Sequence, residues 1–203
     1  MKPPEIARGS VSRETAERLA AFVELLFRWN ERINLISRAD LASVWSRHIE
    51  DALQLVPLLP RADRAIDLGS GGGFPGLVLS IATGMHFDLV EADQRKAAFL
   101  REAIRGSRAN ATVHAVRAEA ARIAPAPLIT ARAMASLPTL LALAAPLLRP
   151  DGVCVFPKGR MRANELTEAG REWHMRIERF PSRTEPAATI LRISEIRRVG
   201  PER

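Results

Sequence analysis

The chain has 203 residues, enough for one α/β domain with a modest extension and too few for two full domains. Its 47% hydrophobic content supports a buried core and excludes wholesale disorder, while a net charge of +7 favours a polyanionic partner. The N-terminus lacks the apolar run of a secretory signal, and the longest uncharged stretch, 133–148, is interrupted by Pro138 and Pro146, so a soluble, cytoplasmic protein is expected.

Leu19, Phe22, Val23, Leu26 and Trp29 recur at helical spacing and predict a helix from Arg13 to about Trp29. Ser12 is its expected N-cap, with Glu14 in the first turn. A loop around Asn34 and Ser37 leads to a second helical stretch at 41–55, after which Pro57 and Pro60 punctuate the chain. Residues 1–60 therefore read as an N-terminal helical extension and 61–203 as the main domain, together one structural unit. From Arg64 the pattern alternates. Short β-type runs at 65–68, 87–91, 112–117, 128–132 and 153–156 are separated by helix-length segments at 76–82, 94–105 and 136–148, with a shorter turn near 119–123. Such βαβα alternation predicts an α/β fold with a doubly wound, mostly parallel sheet. Beyond Lys158, a helix at 162–173 and strands at 176–180 and 189–196 predict a terminal antiparallel pair.

Charge and cysteine usage narrow the chemistry. Residues 1–55 carry 8 basic and 8 acidic residues, 56–148 carry 10 and 7, and 149–203 carry 12 and 8, so the excess grows toward the C-terminus. Only Lys2, Lys96 and Lys158 are lysine, an arginine bias that codon composition also produces. The single Cys154 sits in the apolar run Val153 to Phe156, where a buried, inert thiol is expected. Four scattered histidines offer no metal-ligand spacing, so no metal is expected.

The most informative stretch is Asp67-Leu68-Gly69-Ser70-Gly71-Gly72-Gly73-Phe74-Pro75-Gly76. A strand ends at Leu68, a glycine-rich turn follows, and Pro75 suits the first turn of the next helix. Gly71, Gly73 and Gly76 satisfy G-x-G-x-x-G, which by itself also fits a dinucleotide. An NTPase phosphate loop is excluded, because Leu77-Val78 stands where Lys-Ser/Thr is required. Asp67 tips the balance: a carboxylate before the glycines repels a pyrophosphate but attracts the ammonium of a methionine-bearing cofactor. Glu91 ends the second strand, 24 positions after Asp67, where an acid accepts both ribose hydroxyls of an adenosine. Asp93 is read instead as the cap of the following helix. Glu119 follows the third strand, Arg132 ends the fourth and Lys158 lies past the fifth. Ligands of open α/β sheets bind outside these carboxyl ends, which makes the set a constellation.

At this point the chain resembles a known family. Beyond the general class I methyltransferase motif, it is similar to the bacterial 16S (small-subunit) ribosomal RNA guanine-N7 methyltransferases, the glucose-inhibited division protein B family. The resemblance runs from about residue 20 to about 195. Its marks are Trp29-Asn30, Ile33-Asn34-Leu35, Arg47-His48-Ile49 with Asp51, the glycine stretch, Arg132-Ala133 with Ala135-Ser136-Leu137, and Lys158-Gly159. The family usually has a Ser- or Thr-like residue where Ala52 stands and often a threonine at Ser70. The resemblance implies a class I, Rossmann-like fold, S-adenosyl-L-methionine as cofactor, and methylation of N7 of one guanine in a decoding-region loop of 16S ribosomal RNA. It further implies cofactor contacts at Gly69, Phe74, Ala118, Glu119 and Arg132. With the residues read above, the cofactor set is Asp67, Gly69, Gly71, Phe74, Glu91, Ala118, Glu119 and Arg132. Arg47, His48 and Lys158 are candidates for RNA contact, His48 being equally readable as a packed histidine. The expected partner is 16S ribosomal RNA or the small ribosomal subunit, with the chain a monomer and no membrane involved.

The chemistry agrees with this expectation. Exocyclic-amine methylation typically uses an Asn/Asp-Pro-Pro-aromatic motif, which the sequence lacks, and pyrimidine C5 methylation needs a nucleophilic cysteine, for which Cys154 is badly placed. Guanine N7 carries an in-plane lone pair and no proton, so orientation, proximity and a dry pocket suffice and no general base is expected. Arg132 is the candidate for positioning the substrate through guanine O6 or a phosphate. Three alternatives stay open: a methyltransferase for another RNA or for a small molecule or protein, a nicotinamide-dependent oxidoreductase, and a non-catalytic RNA-binding module of the same fold.

Overall fold

The computed structural model describes residues 11–159 and 165–200. Helix α1, Arg13–Asn30, buries Leu19, Phe22, Val23 and Leu26 on one face, and Ser12 caps it by accepting from the Thr15 amide at 3.2 Å. Asn30 ends the helix by turning its side chain back: Oδ1 accepts from the amides of Leu35 and Ile36, which fixes the following loop. The second helical stretch is shorter and wound differently from the expected 41–55. Trp45–Glu50 is π-helical and runs into a single α turn, Asp51–Leu53. Arg132 reaches in from the sheet and donates to the Arg47 carbonyl at 3.3 Å, a side-chain intrusion of the kind that widens a helical turn.

The sheet follows. Strands β1 (Arg64–Leu68), β2 (His86–Val90), β3 (Ala111–His114), β4 (Ala126–Ala131) and β5 (Leu148–Lys158) are parallel. Strands β6 (Trp173–Pro181) and β7 (Thr189–Arg198) close it antiparallel, in the order β3-β2-β1-β4-β5-β7-β6. Between them lie α2 (Gly76–Thr83), α3 (Gln94–Ser107), α4 (Leu137–Ala144) and α5 (Glu165–Glu172). Asp93 caps α3 by accepting from the Arg95 and Lys96 amides.

Three boundaries depart from the sequence reading. β3 stops at His114, and residues 115–117 leave the sheet before a 3-10 turn, Ala118–Ala120. The helix expected to reach Leu148 ends at Ala144, because Pro146 lies in a separate 3-10 turn, and β5 then starts at Leu148. Trp173 opens β6 instead of closing the preceding helix, where the Arg198 guanidinium lies over its ring. The start expected for that helix, Arg162, lies outside the described residues.

Each sheet face carries its own core. On one, Leu19, Phe22, Leu26, Ile49 and Leu55 of the N-terminal segment pack with Leu77, Phe87 and Phe99, so that segment shares its core with the sheet. On the other, Leu137, Leu141, Phe156 and Trp173 pack against Ile66, Leu68 and Ile129. Cys154 is fully buried, and burial pushes its thiol far above the ordinary cysteine range, as expected for an inert residue. No helix among the described residues is long and apolar enough to cross a membrane.

Candidate active site

The order β3-β2-β1-β4 reverses direction at β1, and the carboxyl ends of these strands form the crevice in which open α/β sheets bind ligands. Gly69, Gly71 and Gly73 all hold positive φ, between +52° and +91°, which only glycine adopts without strain. A Cβ at Gly71 would meet nothing nearer than 3.8 Å, so its conformation, and space for whatever approaches the turn, are what require glycine. The turn is tied to its neighbours: the Ser70 amide donates to the Val90 carbonyl at 3.0 Å, and the Gly71 amide to Glu91 Oε2 at 2.8 Å. Glu91 Oε1 accepts from the Asp93 amide at 2.8 Å. Each oxygen thus takes one backbone donor and keeps a lone pair. Ala118 and the exposed Glu119 lie in the 3-10 turn beyond β3, on the same rim.

Asp67 is placed differently from the sequence expectation. It is 0% exposed, its Oδ1 accepts from the Thr130 hydroxyl at 2.6 Å, and its Oδ2 has no hydrogen-bond partner. Burial outweighs the Thr130 bond and raises its pKa to about 6. Asp67 shares its face of β1 with Ala65 and lies under Gly76, where an added Cβ would come within 2.5 Å of the Asp67 Cβ. The geometry offers no direct contact with a cofactor ammonium. Asp67 supports the glycine turn from behind.

Phe74 and Arg132 are brought together as a unit. The buried Phe74 ring stacks on His48 at 4.8 Å between centroids, and the Arg132 guanidinium lies 5.2 Å from the Phe74 centroid. Arg132 also donates to His48 Nδ1 at 2.7 Å and to Asp51 Oδ2 at 3.2 Å. A guanidinium has no lone pair to offer, so His48 Nδ1 must be the unprotonated nitrogen and the ring is the Nε2–H tautomer. Burial first, and Arg132 second, lower the His48 pKa to about 4, keeping it neutral. His48 is therefore a packed, positioning histidine. Arg47 is exposed and held by Asp40 at 2.9 Å.

A cavity of about 340 Å³ opens between the π-helical turn, the ends of β4 and β5, and the β6–β7 loop. Its polar lining includes Arg47, Asp51, Arg132, Lys158 and Glu185. Ala133, at φ +51°, turns the chain at its edge, and Met134 follows it over Gly69. Lys158, expected to be available to RNA phosphate, is already engaged: its ammonium lies 2.6 Å from Glu165 Oε1 and 3.0 Å from the Ala135 carbonyl. Asp51, met in the sequence only as part of the family resemblance, is the hub. Besides Arg132, it accepts from Gln54 Nε2 at 2.8 Å and from the Thr184 hydroxyl at 2.7 Å. Nothing in the local pattern announces that last bond, which spans 133 positions.

Comparisons with known proteins identify the family and the fold. The family described as rRNA small subunit methyltransferase G matches residues 15–186. Relatives named ribosomal RNA small subunit methyltransferase G include that of Granulibacter bethesdensis, 58% identical over 95% of this chain and 91% of the relative. That of Acidiphilium cryptum is 59% identical over 95% of this chain and 96% of the relative. Among solved structures, M. jannaschii TYW2 in complex with AdoMet superposes with a TM-score of 0.61 at 12% identity, covering 83% of this chain and 80% of that one. MtNAS in complex with MTA and tNA superposes with a TM-score of 0.60 at 15% identity, covering 86% and 70%. These two show the class I methyltransferase fold, and the sequence matches go further: the chain belongs to the rRNA small subunit methyltransferase G family.

Proposed function

We propose that this protein transfers a methyl group from S-adenosyl-L-methionine to N7 of a guanine in 16S ribosomal RNA. The observation that carries this reading is the adjacency of two built features: a carboxylate-flanked glycine cradle and a cation-lined cavity that meet at Arg132. The cradle suits the cofactor. Glu91 is held by two backbone amides with lone pairs remaining for ribose hydroxyls, Gly69 and Gly71 permit close approach, and Ala118 and Glu119 border the rim toward the adenine. When bound, S-adenosyl-L-methionine supplies an electrophilic methyl group on its sulfonium.

The chain's own contribution is to hold and orient. His48 Nδ1 is occupied by Arg132, Asp67 is sealed beneath the turn, and Asp51 already accepts three donors, so each of these groups is committed to structure. A nucleophile that needs no proton removed, such as guanine N7, matches that arrangement. Arg132, fixed by Asp51, His48 and the Phe74 ring, places positive charge between the cradle and the cavity, suited to guanine O6 or a phosphate. Such a substrate places the protein in the cytoplasm.

The test is methylation of 16S RNA, or of small subunits lacking the modification, by purified protein with labelled S-adenosyl-L-methionine. Label at one guanine, with strand scission there after chemistry specific for 7-methylguanine, is the expected result. Label at another atom or in another RNA would overturn the assignment.

A further inference from the structure

Guanine differs from adenine on its Watson–Crick edge. It presents two adjacent donors, N1–H and the N2 amino group, where adenine has a bare N1 lone pair. A carboxylate supplies two adjacent acceptors and matches that edge. Among the described residues, two carboxylates line the cavity, Asp51 and Glu185. Asp51 is largely occupied, with three of its roughly four acceptor sites filled by Gln54, Thr184 and Arg132. Glu185 is not. Its side chain is 46% exposed, its Oε1 has one long bond, from the Ala187 amide at 3.3 Å, and its Oε2 comes no nearer than 3.8 Å to the Arg47 guanidinium.

The backbone beneath Glu185 is nevertheless fixed. Ser182 Oγ accepts from the Thr184 and Glu185 amides at 3.2 and 3.3 Å. The Arg183 amide donates to Gln54 Oε1 at 2.8 Å, and Thr184 is bonded to Asp51. A carboxylate with spare acceptor capacity is thus mounted on an ordered loop that lines the same cavity as Arg132. Arg47 stands close enough to offset the cost of desolvating it. We propose that Glu185 is the base-selecting residue of this enzyme, accepting from N1–H and the N2 amino group of the target guanine while N7 faces the cofactor side. The proposal rests on the guanine-N7 reading above. It gives the loop a role in specificity, since a site built to bond these donors rejects a base that lacks them.

The experiment compares wild type, Glu185→Gln and Glu185→Ala on 16S RNA carrying either guanosine or inosine at the mapped target position. Inosine keeps N7, O6 and N1–H but lacks the N2 amino group. Wild type should lose about tenfold or more in kcat/KM on inosine. Both variants should be slowed on guanosine by at least that factor and show little further loss on inosine, with affinity for S-adenosylhomocysteine unchanged. Glu185→Gln preserves shape and carries the test should Glu185→Ala melt early. An inosine penalty that persists undiminished in Glu185→Gln overturns the proposal while leaving the function intact. Wild type that fails to methylate guanosine at N7 overturns the function itself, and this proposal with it.

Discussion

Glu91 holds the glycine turn and, in the function proposed above, also meets the cofactor ribose. Its carboxylate holds the Gly71 and Asp93 amides and also faces the cradle, so Glu91→Gln keeps the shape but turns an amide donor toward one of those amides. Calorimetry with S-adenosylhomocysteine should show affinity reduced by roughly 1.5–3 kcal/mol, the range for hydrogen bonds to a charged group. Wild-type affinity would remove Glu91 from the cofactor's contacts. Gly71 makes a complementary test. With nothing nearer than 3.8 Å to an added Cβ, Gly71→Ala should cost only about 1–2 kcal/mol of backbone strain, while Gly71→Val, folded or not, should fail to bind cofactor. A folded Gly71→Val enzyme of normal activity would show that this turn does not hold the ligand. At this scale the sequence was most legible for position: Glu91 stands just past the end of β2 and is bonded to the glycine turn. The sequence misled at Asp67, because alternation along β1 sends that side chain to the face covered by α2, and a strand's end does not say which face its last residues take.

Among the elements, the π-helical turn and the β6–β7 loop are held as one by Asp51. Asp51→Asn loses the charge opposite Arg132 and cannot accept from all three of its donors. It should lower stability by about 1–3 kcal/mol, a fall of several degrees in Tm for a chain of this size. An unshifted melting curve would mean that the loop is held by other contacts. Lys158 tests the β5–α5 junction in the same way. With only 13% of its side chain exposed and Glu165 Oε1 2.6 Å away, its loss in Lys158→Ala should cost roughly 3–5 kcal/mol. The salt dependence of RNA binding should stay as in wild type. A reduced salt slope with an unchanged Tm would restore Lys158 to the RNA. The sequence shows the order of strands and helices because period-two and helical spacing are local properties. The π turn is not a local property of that spacing, and the bond Arg132 makes to the Arg47 carbonyl within it comes from 85 positions away.

For the molecule as a whole, two buried groups set opposing pH dependences. His48 falls from 6.5 to about 4 on folding, so between these values the unfolded chain binds the extra proton, and its contribution to stability is lost as pH falls through that window. Asp67 rises from 3.8 to about 6, so the folded chain binds the extra proton, and its contribution is lost as pH rises through that window. Between about 4 and 6 the two oppose each other. Relative to wild type, His48→Gln should make stability fall with rising pH, and Asp67→Asn should make it rise, each by up to about 1.4 kcal/mol per pH unit. Parallel curves for both variants would place the titration elsewhere. The charge excess also looks different at this scale: among the described residues, Arg197 and Arg198 lie at the end of the β6–β7 hairpin remote from the cavity, so part of the C-terminal surplus stands away from the site. One consequence lies in the order of synthesis. The groups of the cofactor cradle are all present once residue 132 has emerged, but the cavity needs the Thr184–Asp51 bond and the pairing of β7 with β5. In the function proposed above, a nascent chain, emerging N-terminus first, therefore has the residues of the cradle well before those of the cavity, which is complete only when translation is nearly finished.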